Sequence, residues 1–167
     1  FPPDTTTAAP PGPSAGAGMF TLRVAPTKLS KDELSAVIKK MAGNPVVGIQ
    51  IDFDARTRHL QDYATFLRDL RTQLPAEYRL SITGLMDWGS NADPEAINQL
   101  QGVVDEVVVQ TYQGRRTIPS YRSYLPRIAR LTLPFKIGLM QDGEWEAPDS
   151  LAASPWFRGY VVFLLKP

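Results

Sequence analysis

Three polar side chains alternate along one short stretch of the sequence, Val46 to Ala55, which reads VVGIQIDFDA. Gln50, Asp52 and Asp54 fall on every second position, and apolar residues occupy the positions between them. Because successive side chains of a β-strand point to opposite faces, the three polar groups share one face. Two carboxylates held together in a cleft can acquire different pKa values, as acid–base chemistry requires. The spacing therefore predicts a catalytic or ligand-binding face built on one strand.

This stretch belongs to a regular alternation of strands and helices that begins at Met19. Strands are predicted over residues 19–25, 46–55, 79–88, 106–112, 135–140 and 159–165. Helical patterns separate them, and Ser30 followed by Glu33 forms a capping box at the start of the first helix. Strict alternation favours a parallel sheet with right-handed crossovers.

Two architectures accommodate such a sheet. One is an open, doubly wound sheet, and the other is a (β/α) barrel, which has eight strand–helix units when complete. We predict an α/β fold that is TIM-barrel-like but incomplete, with about six βα units of mostly parallel strands. Residues 19–167 form this domain, and residues 1–18, rich in Pro, Ala, Thr and Gly, are predicted to be a flexible leader.

Composition narrows the classes of function. The net charge of +1 implies no strong positive potential that would attract nucleic acid. No apolar run is long enough to suggest a membrane span. Cysteine is absent and His59 is the single histidine, so we expect no metal site of the Cys or His type and no cofactor. A Pro-rich leader suits an exported protein, periplasmic or secreted.

Both architectures bind ligands at the carboxyl ends of their strands. Besides Gln50, Asp52 and Asp54, the residues predicted at these ends are Asp87, Trp88, Gln110, Tyr112, Gln113, Gln141, Asp142 and Trp145. Carboxylates and amides bond to hydroxyl groups, and aromatic rings stack on sugar rings. The set predicts a site for a glycan or oligosaccharide.

Each of these residues also has a structural interpretation. Asp52 and Asp54 could instead cap backbone amides or pair with Arg56 and Arg58, which lie just beyond them in the sequence. The aromatic residues could instead pack at the rim of the core; they are Trp88, Tyr112 and Trp145.

The central stretch is similar to the signature D-G-x-D-x-D-x-E of family-18 chitinases. Gly48 and Asp52 match that signature, Gln50 stands in place of its middle Asp, and Asp54 stands in place of its Glu. Three later strands resemble successive strands of that fold in the same order along the chain: LSITGLMDW, FKIGLM and GYVVFLL. VVVQTYQ resembles its M-x-Y-D strand, and Tyr112 matches the Tyr. The pattern G-x-Q-x-D-F-D resembles more closely an uncharacterised bacterial family placed near the glycoside hydrolases.

The resemblance implies a barrel of the glycoside hydrolase type without its first two strands. It implies Asp54 as the general acid, Asp52 as the carboxylate that positions the N-acetyl group of the substrate, and Tyr112 as the group that steadies it. Asp54 is one methylene shorter than the Glu of the signature. Two further functions stay open. One is a non-catalytic carbohydrate-binding or scaffold domain, and the other is a Mg²⁺-dependent open-sheet enzyme using both aspartates. A homodimer through exposed sheet edges is also expected.

Overall fold

The computed structural model describes residues 18–23, 30–52, 60–85 and 97–165. Within these ranges the strands are β1 (Gly18–Arg23), β2 (Val46–Asp52), β3 (Arg79–Leu85), β4 (Glu106–Gln110), β5 (Tyr112–Gln113), β6 (Arg116–Thr117), β7 (Phe135–Met140) and β8 (Phe157–Phe163). The helices are α1 (Lys31–Ala42), α2 (Leu60–Gln73), α3 (Tyr121–Ile128) and α4 (Asp149–Ala152). Nearly all of the predicted leader lies outside the described residues, as do the final residues of the second and third predicted strands.

Local signals placed several elements correctly. The capping box of α1 is present, because Ser30 Oγ accepts from the Glu33 N–H at 3.2 Å and the Glu33 carboxylate accepts from the Ser30 N–H at 2.8 Å. β7 spans the predicted residues 135–140. Between β3 and β4 the chain is described from Ile97, where a short helical segment leads into turns.

The main sheet has the strand order β1-β2-β3-β4-β7-β8, and every neighbouring pair is parallel. Spatial order follows chain order without the reversal that defines a doubly wound sheet, so that alternative is wrong for the described strands. An unreversed parallel sheet is the arrangement of a barrel wall. β1 and β8 pair with no further strand in the described ranges, and no closed barrel is formed there.

One hydrophobic cluster joins the helices to one face of this sheet. Leu34, Leu67 and Leu125 represent α1, α2 and α3 in it. The strand positions that contact them alternate along the chain: Ile49, Ile51, Leu80, Ile82, Val107, Val109, Phe135 and Ile137. With the helices on one side, the intervening positions form a second face.

We call this second surface the inner face. Strand register and alternation assign to it Gln50, Asp52, Ser81, Thr83, Glu106, Val108, Gln110, Lys136, Gly138, Met140, Val161 and Phe163. The inner face is polar on β2 and β3 and apolar toward β8. Its upper edge, where the strands end, is where the predicted ligand residues belong.

Gly48 allows β2 and β3 to approach closely. A Cβ atom at this position would lie 2.1 Å from the carbonyl oxygen of Arg79, its partner in register on β3. No side chain tolerates such a distance. The glycine of the central stretch therefore has a packing role directly beneath the predicted site.

Candidate functional site

Asp52 ends β2 on the inner face and is half-buried. Its Oδ1 accepts a hydrogen bond of 2.8 Å from the hydroxyl of Thr83 on β3. Thr83 is only 3% exposed, so its rotamer is fixed by its surroundings. A carboxylate oriented in this way by the neighbouring strand is preorganised to receive a polar group of a ligand.

Tyr63, in the first turns of α2, also responds to Asp52. Burial raises the pKa of the Tyr63 phenol, and the negative charge of Asp52 raises it further. The ring packs against Phe66, with centroids 6.2 Å apart. This electrostatic link between Tyr63 and the site was not predicted from the sequence.

A row of polar side chains crosses the inner face below Asp52. Gln50 Nε2 donates to Ser81 Oγ at 3.3 Å, and Ser81 Oγ donates to Glu106 Oε1 at 3.5 Å. Lys136 Nζ lies 3.3 Å from Oε1 and 3.1 Å from Oε2 of Glu106. Arg79 approaches Glu106 Oε2 at 3.9 Å. We call Gln50, Ser81, Glu106 and Lys136 the polar row.

Aromatic rings lie at the carboxyl end of β4. The rings of Tyr112 and Phe163 are 5.4 Å apart and tilted by 57°. Gln110 lies two residues before Tyr112, is half-buried, and pairs in register with Gly138 of β7. A Cβ atom at Gly138 would meet the Phe163 ring at 3.2 Å. The glycine thus leaves room for Phe163 to reach the inner face.

Gln113 lies on a short hairpin that follows β4. β5 and β6 pair antiparallel, with Gln113 opposite Arg116. Gly114 takes a positive φ of 60° in the turn between them, and Gln113 is exposed. The structure therefore places Gln113 beyond the edge of the main sheet.

Gln141 and Asp142 follow β7 directly. Gln141 Oε1 accepts from the Leu165 N–H at 3.1 Å and holds the segment after β8. Asp142 is exposed and has a φ of 59°, which is uncommon for a residue with a side chain. Both residues lie at the carboxyl edge, as the sequence predicted.

Trp145 lies away from the inner face. Its ring stacks on Tyr121 of α3 at 5.3 Å and meets the edge of Tyr160 at 5.6 Å. Tyr160 pairs in register with Ile137, a residue of the helix-covered face. These contacts support a packing role for Trp145, and its contact with a glycan stays a prediction.

Three predicted site residues, Asp54, Asp87 and Trp88, lie outside the described residues. In the described ranges, no group of three His, Cys, Asp or Glu side chains could hold a metal ion. Use of Asp52 and Asp54 for Mg²⁺ stays a prediction. No helix in these ranges is both long enough and apolar enough to cross a membrane.

Sequence reasoning also missed Ser81, Thr83, Glu106 and Lys136. The first two alternate in RLSITGL, and Glu106 and Gln110 alternate with Val109 and Val107 in EVVVQ. Applying the two-residue period to every strand, and not only to β2, would have assigned these side chains to one face of their strands, but not to positions beside Asp52 and Gln50. The missing information was the register between strands.

A protein family described as Domain of unknown function (DUF3142) matches residues 23–117, more than half of the 167 residues. Among curated proteins, none is detectably similar to the chain.

Solved structures that are similar to the chain include two enzymes. One is the spore cortex-lytic enzyme SleL of Bacillus cereus, with a TM-score of 0.49 and 22% identity, covering 65% of this chain and 29% of that one. The other is the chitinase ICChI from Ipomoea carnea, with a TM-score of 0.49 and 17% identity, covering 81% of this chain and 62% of that one. The chain thus spans less than two thirds of either protein. Both TM-scores lie below 0.5.

Proposed function

This chain belongs to the family described as Domain of unknown function (DUF3142), and we propose that it binds a glycan at the carboxyl ends of its parallel strands. One observation carries the proposal. The carboxylate of Asp52 is oriented by the buried hydroxyl of Thr83 at the upper edge of the inner face. An oriented acceptor at the end of a parallel strand is what recognition of a sugar hydroxyl or acetamido N–H needs.

The surroundings of Asp52 suit a sugar ring. Gln110 adds an amide that can both donate and accept, and the ring pair of Tyr112 and Phe163 adds apolar surface. Strands lie about 4.8 Å apart, so Asp52 on β2 and Gln110 on β4 are separated laterally by about 10 Å. That separation lets one oligosaccharide contact both strands.

Hydrolysis is the second part of the proposal, and the resemblance to family-18 chitinases supports it. In that role Asp54 is the general acid, Asp52 positions the N-acetyl group and Tyr112 steadies it. We further propose that Asp87, Trp88, Gln113, Gln141 and Asp142 contact the glycan, and that the fold is a barrel of the glycoside hydrolase type. The setting is an exported protein.

A non-catalytic carbohydrate-binding domain is the alternative. The substitutions in the central stretch favour it, because Asp54 is shorter than the Glu of the signature and Gln50 cannot share a proton as a carboxylate would. A displacement of about 1 Å at a catalytic group can reduce the rate by about 10²-fold.

Calorimetric titration with the tetramer of N-acetylglucosamine tests binding. We expect the wild-type chain to bind it, and Asp52→Asn and Thr83→Val to weaken binding by about tenfold, since each removes one oriented polar contact. Asp69→Asn, on the exposed side of α2, is the matched control and should leave the affinity unchanged. Equal affinity in Asp52→Asn and the wild type would refute the site.

Product analysis on the same tetramer separates the enzyme from the binding domain. Release of shorter oligomers by the wild type but not by Asp54→Asn supports hydrolysis. Binding without release by either chain supports the non-catalytic alternative.

A further inference from the structure

The polar row has a fixed hydrogen-bond direction. Glu106 is an acceptor only, because its two oxygens form an ion pair with Lys136 at 3.1 Å and 3.3 Å. Glu106 is 8% exposed, so water supplies little competition. The Ser81 hydroxyl on the neighbouring strand must therefore act as the donor in its contact with Glu106.

Because the Ser81 hydroxyl donates its proton to Glu106, Gln50 can only donate to Ser81. A serine hydroxyl has one proton and two lone pairs, so toward Gln50 only the lone pairs remain. Ser81 is fully buried, which keeps its rotamer in place. The Gln50 amide must then present its nitrogen to Ser81, as the 3.3 Å contact has it, and turn its carbonyl oxygen away. The count of donors and acceptors thus gives independent support for Nε2, and not Oε1, as the Gln50 atom that faces Ser81.

The carbonyl oxygen of Gln50 makes no hydrogen bond within the described residues. The Gln50 side chain is half-buried, and this oxygen is not among the fully enclosed polar atoms that lack a partner. It is therefore an acceptor with a fixed direction and access to solvent. It belongs to the same strand face as Asp52, two residues away, where the glycan is proposed to bind.

We propose that Glu106, held by Lys136, is a positioning residue that acts through Ser81 to fix the Gln50 amide as a hydrogen-bond acceptor for the ligand. The inference rests on the proposed glycan function and adds a specificity to it. Gln50 selects a ligand group that donates, such as a hydroxyl or an acetamido N–H. Asp52 and Gln50 then form two adjacent acceptors, one charged and one neutral.

The polar row also explains why an amide stands at position 50. A carboxylate there would face Ser81 with oxygens only, while the single Ser81 proton already serves Glu106. Two acidic groups would then compete for one donor on a face where Asp52 already carries a charge. Gln50→Glu is nearly identical in size, so it isolates this effect from packing.

Two variants remove the polar row without leaving a buried charge. Ser81→Ala deletes the link, and the double variant Glu106→Leu with Lys136→Met replaces the ion pair by apolar side chains, a change that is often tolerated. For both variants, and for Gln50→Glu, we expect affinity for the tetramer of N-acetylglucosamine to fall about three- to tenfold. Arg130→Gln, at an exposed position just after α3, is the control and should change the affinity by less than twofold.

The side-chain amide resonances of Gln50 give a readout that a purely structural role would not move. In the wild type, one proton of the NH₂ group is hydrogen-bonded, so the two proton signals should be well separated. In Ser81→Ala and in the double variant, the separation should shrink toward that of a free glutamine. An unchanged separation in both variants, or wild-type affinity in both, overturns the proposal.

The two proposals fail differently. If the wild-type chain binds no tetramer, the proposed function is refuted, and with it the ligand role of Gln50. The amide resonances still decide, without any ligand, whether Glu106 orients Gln50. If the wild type binds and Gln50→Glu binds equally well, only the positioning role is refuted.

Discussion

At the scale of single residues, the contacts of a side chain decide between chemical and packing roles. Asp52 and Trp145 were both predicted at the ligand site from their residue types. Asp52 lies on the inner face and accepts from Thr83, whereas Trp145 stacks on Tyr121 and meets the edge of Tyr160. The sequence predicted the face of Asp52 because alternation within one strand is local information. It could not predict the contacts of Trp145, which join three separate segments.

Trp145→Ala tests the packing role. Deleting a large aromatic ring from such a cluster should lower the free energy of unfolding by about 3 kcal/mol. Affinity for the tetramer of N-acetylglucosamine should stay at the wild-type value at temperatures where the variant is folded. Urea unfolding and calorimetric titration measure the two quantities. A loss of affinity in a chain of unchanged stability would restore the predicted role in ligand binding.

At the scale of elements, signals within a few residues predicted well. The capping box of α1 and the span of β7 were both predicted and are both present. The hairpin of β5 and β6 was not predicted, because its strands are two residues long and carry no alternating pattern. Residues beyond Asp52 on the central strand lie outside the described part of the chain, so its predicted length is untested there.

Ser30→Ala tests the capping box. Removing the side chain that accepts from the Glu33 N–H should lower the free energy of unfolding by about 1 kcal/mol at neutral pH. The ionisation of Glu33 makes the contribution of the capping box to the free energy of unfolding depend on pH. The hydrogen bond from the Ser30 backbone, followed by that from its side chain, lowers the pKa of Glu33.

A lowered folded-state pKa means that the contribution of Glu33 is present above its unfolded-state pKa and is lost as the pH falls through the folded-state value. The difference in the free energy of unfolding between the wild type and Glu33→Gln should therefore shrink on acidification from neutral pH to about pH 3, which lies below the ordinary pKa of a glutamate. Thermal unfolding across this range measures it. A difference that stays constant with pH would contradict the reciprocal arrangement.

At the scale of the whole molecule, the sheet has one face covered by helices and one face with a polar row. The sequence predicted the six strands of the main sheet and their parallel arrangement but left two architectures open. Only the order of the strands decides between them, and order depends on contacts between distant segments. The same limit explains why the polar row was missed, since it joins β2, β3, β4 and β7.

Gly48→Ala tests the close approach on which this sheet depends. A methyl group 2.1 Å from the Arg79 carbonyl oxygen must push β2 and β3 apart. We expect the free energy of unfolding to fall by about 3 kcal/mol. Gly43→Ala is the control, because Gly43 has an ordinary φ of −96° and no atom within 4 Å of a Cβ there. Equal stability of the two variants in urea would contradict the geometry.

The edges of the sheet carry one expectation that is still open. Tyr160 and Val162 on β8 are 42% and 54% exposed on the helix side of the sheet. In the homodimer predicted from the sequence, the terminal strands of the sheet would pair between the two chains. Sedimentation of the chain over a range of concentrations distinguishes a monomer from a dimer.

The central claim is that a glycan binds the inner face at the carboxyl ends of the strands. Methyl resonances report on both faces in one titration, because Met140 and Val161 lie on the inner face while Ile51 and Ile82 contact the helices. Titration with the tetramer of N-acetylglucosamine should shift the signals of Met140 and Val161 and leave those of Ile51 and Ile82 in place. Shifts confined to Ile51 and Ile82, or no shifts at saturating tetramer, would contradict the claim.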